Sequence, residues 1–253
     1  MKPMSPAIVV PIVLVPGYML DRDLWRELEA RMSASDEPRF SIHHADLTQD
    51  ATIEAMATRL LTDAPQRFVL IGFSMGGYVV REVARRAPER VLALILIATS
   101  SEGDNEIQRQ RKDAVARAFD PSKFAGLSRS AVLSSVAPSH VDGPIIDRIR
   151  AMSERLGGSV FQRQSALVRT SDADRLSELT CPTLIVAAAQ DQLRSLTEAS
   201  ALHEGIAHSK MVVIQSSGHM IPLEAPEELA GAIVPWLGDL GWPGAVVSEP
   251  AGH

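Results

Sequence analysis

The run Val69-Leu70-Ile71-Gly72-Phe73-Ser74-Met75-Gly76-Gly77 constrains this chain more than any other stretch. An apolar, β-favouring segment stops at a glycine, presents one serine, and passes through two more glycines into a helical pattern at Tyr78, Val79, Val83 and Ala84. A strand-to-helix turn this tight leaves no room for side chains two residues either side of the serine, where Gly72 and Gly76 stand. The turn pushes the Ser74 oxygen into solvent at the strand's carboxyl end. The amides after it open a helix, whose N-terminus favours developing negative charge.

The flanking sequence supplies the setting. Short apolar runs alternate with longer helical patterns: strands at Ile12–Val15, Phe40–His43, Phe68–Phe73 and Val91–Ala98, with helices at Asp23–Met32, Ile53–Leu61 and up to Arg86. Such alternation predicts a mostly parallel sheet covered by helices on both faces. Pro11 cannot donate to a central ladder, so Ala7–Val10 is expected to be a separate extended piece. From Ser101 to about Thr180 no strand pattern recurs, and helical stretches follow at Ile107–Phe119, Ala131–Val136, Ile145–Leu156 and Val160–Val168. Strand pattern returns at Thr183–Ala188 and Met211–Ile214, separated by a helix at Ser195–His203. A last helix starts at Pro226 with two acids in its first turn and closes at Trp236 and Leu237.

Composition excludes several classes. A net charge of −6, with no block of like charges, argues against nucleic acid as the partner. The single Cys181 cannot form an internal disulfide, and no Cys/His cluster has the spacing of a zinc site, so a reducing cytoplasmic setting without metal is expected. Cys181 precedes Pro182 at the mouth of an apolar run, where a thiol is buried and inert. Pro11, Pro16 and Gly17 interrupt the apolar N-terminal stretch, so neither export nor membrane insertion is read from it.

At Gly-Phe-Ser-Met-Gly the chain resembles the α/β-hydrolase family, whose nucleophile elbow has this form, and the element pattern extends the resemblance over nearly the whole chain. The resemblance implies an α/β-hydrolase fold, with a mostly parallel sheet of about six main strands, helices on both faces and a helical cap insertion. It divides the chain into a core of residues 1–100 and 181–237, a cap of residues 101–180, and a loosely ordered tail of residues 238–253. In this family the triad runs Ser, acid, His along the chain, with acid and histidine on the loops after two late strands. Asp191 follows Leu184–Ala189 and His219 follows Met211–Ile214, which matches them to those roles. Glu102 and Asp104, just after the strand ending at Ala98, are rival acids because some relatives place the carboxylate there. An oxyanion hole is expected from the backbone N–H of Met75 and of Tyr18. Many relatives carry His-Gly where this chain has Pro16-Gly17, which removes a side chain that often braces the loop. Met19 and Phe73 are expected, with Met75, to line the acyl pocket.

The expected enzyme is a serine hydrolase acting without metal or organic cofactor on an ester of a small molecule. Thioester, lactone and carbon–carbon bond cleavage share the triad and remain open, as does a slow, receptor-like protein on the same fold. Arg109, Arg111, Lys112, Arg117, Arg148, Arg150 and Arg155 of the insertion are interspersed with acids, the pattern of a solvated helix face. The alternative is an inward arginine fixing an anionic substrate group.

Overall fold

The computed structural model describes residues 9–34 and 39–242. Strands β1 (Val9–Val15), β2 (Arg39–His44), β3 (Phe68–Phe73), β4 (Val91–Ile97), β5 (Thr183–Ala188) and β6 (Ser209–Ile214) form one sheet in the order β2-β1-β3-β4-β5-β6. All of its pairings are parallel. Parallel neighbours need long crossovers, supplied by helices such as α1 (Arg26–Ser33), α2 (Ile53–Asp63), α3 (Met75–Arg86) and α7 (Leu196–Gly205). After β6 the single turn α8 (Ile221–Glu224) leads into the last helix, α9 (Pro226–Asp239).

Side chains alternate across the pleat, so each strand feeds two cores. Ile12, Leu14, Ile71, Phe73 and Ile95 pack with Leu28 and Met32 of α1 and with Leu229 and Ile233 of α9. Val13, Val15, Leu70, Leu94 and Leu96 pack on the opposite face with Met56 and Leu60 of α2, Val79 and Val83 of α3, and Leu202 of α7. Burial on both faces explains why these strands read as unbroken apolar runs.

Pro11 does not separate two extended pieces, because it lies inside β1 opposite Ser41 of β2. The Leu14 carbonyl accepts from Ala45 on the β2 side, so alternate residues, including Pro11, turn their backbone groups toward β3. Pairing with β3 begins only at Ile12, so the missing N–H removes no bond.

Between β4 and β5 the chain forms α4 (Glu106–Ala118), α5 (Arg129–Leu133) and α6 (Pro144–Ser165), with no strand among the described residues. The two helices expected between Ile145 and Val168 are found within α6, where Gly157, with φ 78° and ψ 173°, breaks the helical path between them, and the second ends at Ser165. At the C-terminus, α9 runs two residues past Leu237, and Leu240 and Trp242 beyond it lie against the first core. Residues 243–253 of the expected tail, and Ala7 and Ile8 of the expected N-terminal piece, lie outside the described residues.

A buried ion pair locks α3 to the chain entering β5. The Arg81 side chain is 0% exposed and donates through Nε and Nη2 to Asp172 at 2.8 and 2.9 Å, while Nη2 also reaches the Ser100 carbonyl. Arg85 Nη1 donates to the same carboxylate at 2.9 Å. Burial pushes the Asp172 carboxyl up, but the two arginines outweigh it and hold it below its ordinary value of 3.8. Its contribution to stability is therefore present above that value and lost as pH falls through the lowered folded one. Asp172→Ala strands Arg81 in the interior and is expected to lower unfolding free energy by about 3–5 kcal/mol in urea titrations. A loss under about 1 kcal/mol would mean that water reaches Arg81.

Candidate active site

The strand order places β1 beside β3, while the chain leaves these strands in different directions, so their carboxyl-end loops diverge over a crevice. Ser74 ends β3 and Tyr18 follows β1, so both border that crevice. Ser74 has φ 50° and ψ −110°, a conformation unusual for a residue with a side chain. Its amide donates to Ile97 at 2.9 Å, and its carbonyl accepts from Thr99 Oγ1 at 2.8 Å and Gly77 at 3.0 Å. The glycines are required by contact. A Cβ on Gly72 would stand 2.5 Å from Val80, and one on Gly76 would stand 2.5 Å from the Val15 carbonyl. The second contact packs the elbow directly against the end of β1, which brings the Tyr18 loop to Ser74.

The loops after β5 and β6 complete the constellation. His219 Nε2 lies 3.0 Å from Ser74 Oγ, and His219 Nδ1 lies 2.8 Å from Asp191 Oδ2. Asp191 accepts and cannot donate when ionised, so Nδ1 carries the proton and Nε2 is left to accept from the serine. The other oxygen of Asp191 accepts from the amides of Leu193 at 2.7 Å and Arg194 at 2.9 Å. Both side chains are nearly sealed from water, at 6% exposed for His219 and 1% for Asp191. The rival acids stand elsewhere: Asp104 is engaged by Lys112 and Arg169, and Glu102 offers its backbone carbonyl to Tyr78. Such an arrangement is chemically able to deprotonate a serine hydroxyl as it attacks a carbonyl.

Residues 34–226 match the family model described as the alpha/beta hydrolase fold. The chain belongs to the α/β-hydrolase family. Over 224 residues it is 25% identical to the pimeloyl-[acyl-carrier protein] methyl ester esterase of Aliivibrio salmonicida, covering 82% of this chain and 84% of that one. The enzyme of the same name from Pectobacterium carotovorum is 34% identical over 97 residues, a match that spans only 36% of its length. A solved structure of a thermophilic esterase from Thermogutta terrifontis superposes with a TM-score of 0.76 at 29% identity, covering 92% of this chain and 91% of that one.

In this α/β hydrolase a cavity of about 410 Å³ opens over Ser74, bordered by Tyr18, Met75 and His219 from the sheet side and by Gln164, Ser165 and Leu167 from α6 and its exit. Tyr18 and Met75 both border the cavity, and neither backbone amide has an acceptor among the described residues. The Tyr18 hydroxyl is 2.7 Å from Ser165 Oγ, and burial pushes its pKa up to about 12, so it stays protonated. Met19 and Phe73 are placed differently from Met75. Both are fully buried and neither borders the cavity: the Met19 amide donates to Gln164 Oε1 at 2.8 Å, and the Phe73 ring packs on His219 at 5.1 Å between centroids. Phe73 therefore holds the imidazole in place from behind.

Sequence reading misses Glu224. Its carboxylate is 0% exposed and accepts from the amides of Gly218 at 3.2 Å and Met220 at 2.9 Å, the residues either side of His219. It also accepts from the Ala137 amide at 2.7 Å and lies 3.1 Å from His140 Nδ1. The clamp joins the histidine loop to the helical segment after α5. Of the basic residues between β4 and β5, Arg148 and Arg155 turn to Asp23, Glu27 and Asp21 in and just before α1, and Lys112 borders the cavity. Among the described residues no group of His, Cys, Asp and Glu could hold a metal ion, and no helix is long and apolar enough to cross a membrane.

Proposed function

We infer that this protein cleaves a carboxylic ester of a small molecule through an acyl-enzyme on Ser74. It is an α/β-hydrolase enzyme acting on ester bonds, as the esterases among its relatives also do by name. The observation that carries the mechanism is the unbroken path from Ser74 Oγ through His219 to Asp191 at the floor of a small-molecule-sized cavity. Ser74 attacks the carbonyl carbon while His219 Nε2 takes its proton, and Asp191 holds the imidazole and balances the imidazolium that forms. Negative charge that gathers on the carbonyl oxygen is met by the amides of Tyr18 and Met75. His219 then returns the proton to the departing alcohol, and water, deprotonated by His219, releases the acid and restores Ser74.

In the same reading residues 101–180 form a cap over a core of residues 1–100 and 181–237. Its support is the division of the cavity: Gln108, Lys112, Gln164, Ser165, Leu167 and Arg169 come from the insertion, and Ser74, Asp191 and His219 lie outside it. The cap then gathers binding energy from the parts of the substrate that do not react. The enzyme is placed in the cytoplasm, a reading supported by its one cysteine, which is buried and unpaired.

The test is a panel of matched acyl esters, thioesters and lactones at neutral pH, with carbon–carbon cleavage substrates as an added arm. An ester is expected to give the highest kcat/KM, at or above roughly 10⁴ M⁻¹s⁻¹ for a preferred acyl chain. A thioester or lactone turned over tenfold faster than every ester would overturn the assignment of bond type.

A further inference from the structure

The lysine and arginines bordering the cavity are Lys112, Arg169 and Arg194, and no carboxylate among the described residues borders it. Their acidic partners stand behind the wall. Asp104, whose side chain is 0% exposed, serves two of the cations at once. It accepts from Lys112 Nζ and, at 2.8 and 2.6 Å, from Nε and Nη2 of Arg169. Glu198 pairs with Arg194 at 3.2 Å while also capping α7 through Ser195. Asp191 spends its oxygens on His219 and two amides. The cavity therefore meets cations whose counter-charges are shared or turned away.

Two further observations bear on this wall. Arg194 donates to Glu198 through Nη1 at 3.2 Å, and its side chain keeps 15% of its surface open beside the cavity, so part of the guanidinium is accessible to a ligand. Burial disfavours Lys112 as a cation, the bond to Asp104 offsets this only in part, and the nearby charges of Arg169 and Arg194 add to it, so an anion in the cavity would favour the charged form of Lys112. Salt bridges alone do not require this, since a cation paired only to hold α4 against the chain near Arg169 needs no access to the cavity.

We propose that Lys112, Arg169 and Arg194 form a subsite for a carboxylate carried by the substrate away from its scissile ester. The preferred substrate is then the half-ester of a dicarboxylic acid, or an ester of comparable shape with a free acid group. A carboxylate is favoured over a phosphate dianion because each cation already has an acidic partner, which leaves the wall little positive charge to balance. This inference rests on the ester-hydrolase reading for its substrate but not for its binding site.

Two measurements separate those dependences. In the first, 4-nitrophenyl half-esters of succinic, glutaric and adipic acid are compared with the same esters whose free acid is a primary amide. The best acid is expected to exceed its amide at least tenfold in kcat/KM, chiefly through KM, and tenfold corresponds to about 1.4 kcal/mol. Arg194→Gln and, separately, Lys112→Met are expected to bring that ratio close to one. The ratio compares two substrates on one enzyme, so a loss of folded protein cancels from it. Arg194→Gln also keeps the backbone amide that serves Asp191. In the second, calorimetry compares glutaramate with glutaramide, neither of which has an ester to cleave. Glutaramate is expected to bind at least tenfold more tightly, and Arg194→Gln to remove the difference. If no ester is hydrolysed but this difference and its loss persist, the ester-hydrolase reading falls and the anion subsite stands. Equal treatment of acid and amide in both measurements, or ratios unmoved by both variants, overturns the subsite.

Discussion

Ser74→Ala is expected to lower ester turnover by roughly 10⁶-fold, because removal of a triad nucleophile leaves only binding and oxyanion stabilisation. Fluorophosphonate labelling should vanish with it, and peptide mass spectrometry of the parent protein should place the adduct on Ser74. The expectation follows from the elbow. The φ of 50° at Ser74 is held by bonds to Ile97, Thr99 and Gly77, which fix the backbone beneath a 3.0 Å contact between Oγ and His219 Nε2. Strain maintained in this way is a feature of sites that use it. The other side chain with comparable intrinsic nucleophilicity is Cys181, and it is a poor candidate. Burial pushes its thiol up to about 11, so almost none is thiolate at neutral pH, and it lies before β5 rather than at the crevice. Labelling that persists in folded Ser74→Ala would move the nucleophile elsewhere.

The elbow and the strands of the sheet are legible in the sequence for one reason: each is written in residues close together along the chain. Gly72 and Gly76 announce themselves by spacing, and their contacts with Val80 and Val15 supply the steric cause. Asp191 and His219 stand on the loops after two apolar strands, and the resemblance to the α/β-hydrolase family, with its chain order of Ser, acid and His, singles them out there. What is not legible depends on partners distant in sequence. Glu224 looks like one more acid near the start of α9, and only the fold shows it gripping both neighbours of His219 and the amide of Ala137. Arg169 and Arg194 border the cavity because α4, the exit of α6 and the loop after β5 converge there, and no local pattern encodes that convergence. Met19 and Phe73 illustrate the opposite error. Closeness to the elbow in sequence suggests closeness to substrate, but the positive φ at Met19 and the alternation of β3 turn these residues away from the cavity wall. Pro11 misleads because a rule about ladders is a rule about which neighbour a backbone group faces, and that neighbour is known only once the strand order is known.

Asp191→Asn is expected to lower kcat by about 10⁴-fold while leaving the fold and KM nearly unchanged, the effect of presenting a histidine with the wrong partner. An amide in place of the carboxylate offers Nδ1 a donor as readily as an acceptor, so the imidazole adopts the tautomer that cannot accept from Ser74. It also removes the charge that balances the imidazolium. Both consequences are sharpened by burial, since neither Asp191 nor His219 has enough exposure for water to substitute. The amides of Leu193 and Arg194 should still hold the carboxamide oxygen in the variant, which is why the loop is expected to keep its shape. Circular dichroism and thermal unfolding establish that the variant is folded, and single-turnover kinetics separate the chemical step from binding. Glu102→Gln provides the comparison, because Glu102 is the competing acid by position yet presents only its backbone carbonyl to Tyr78. It should retain kcat within a factor of about three, in line with an ordinary surface substitution. The reverse result, with Asp191→Asn active and Glu102→Gln inactive, would show that the histidine is served by the acid after β4 and that the 2.8 Å contact to Asp191 is not the one used in turnover.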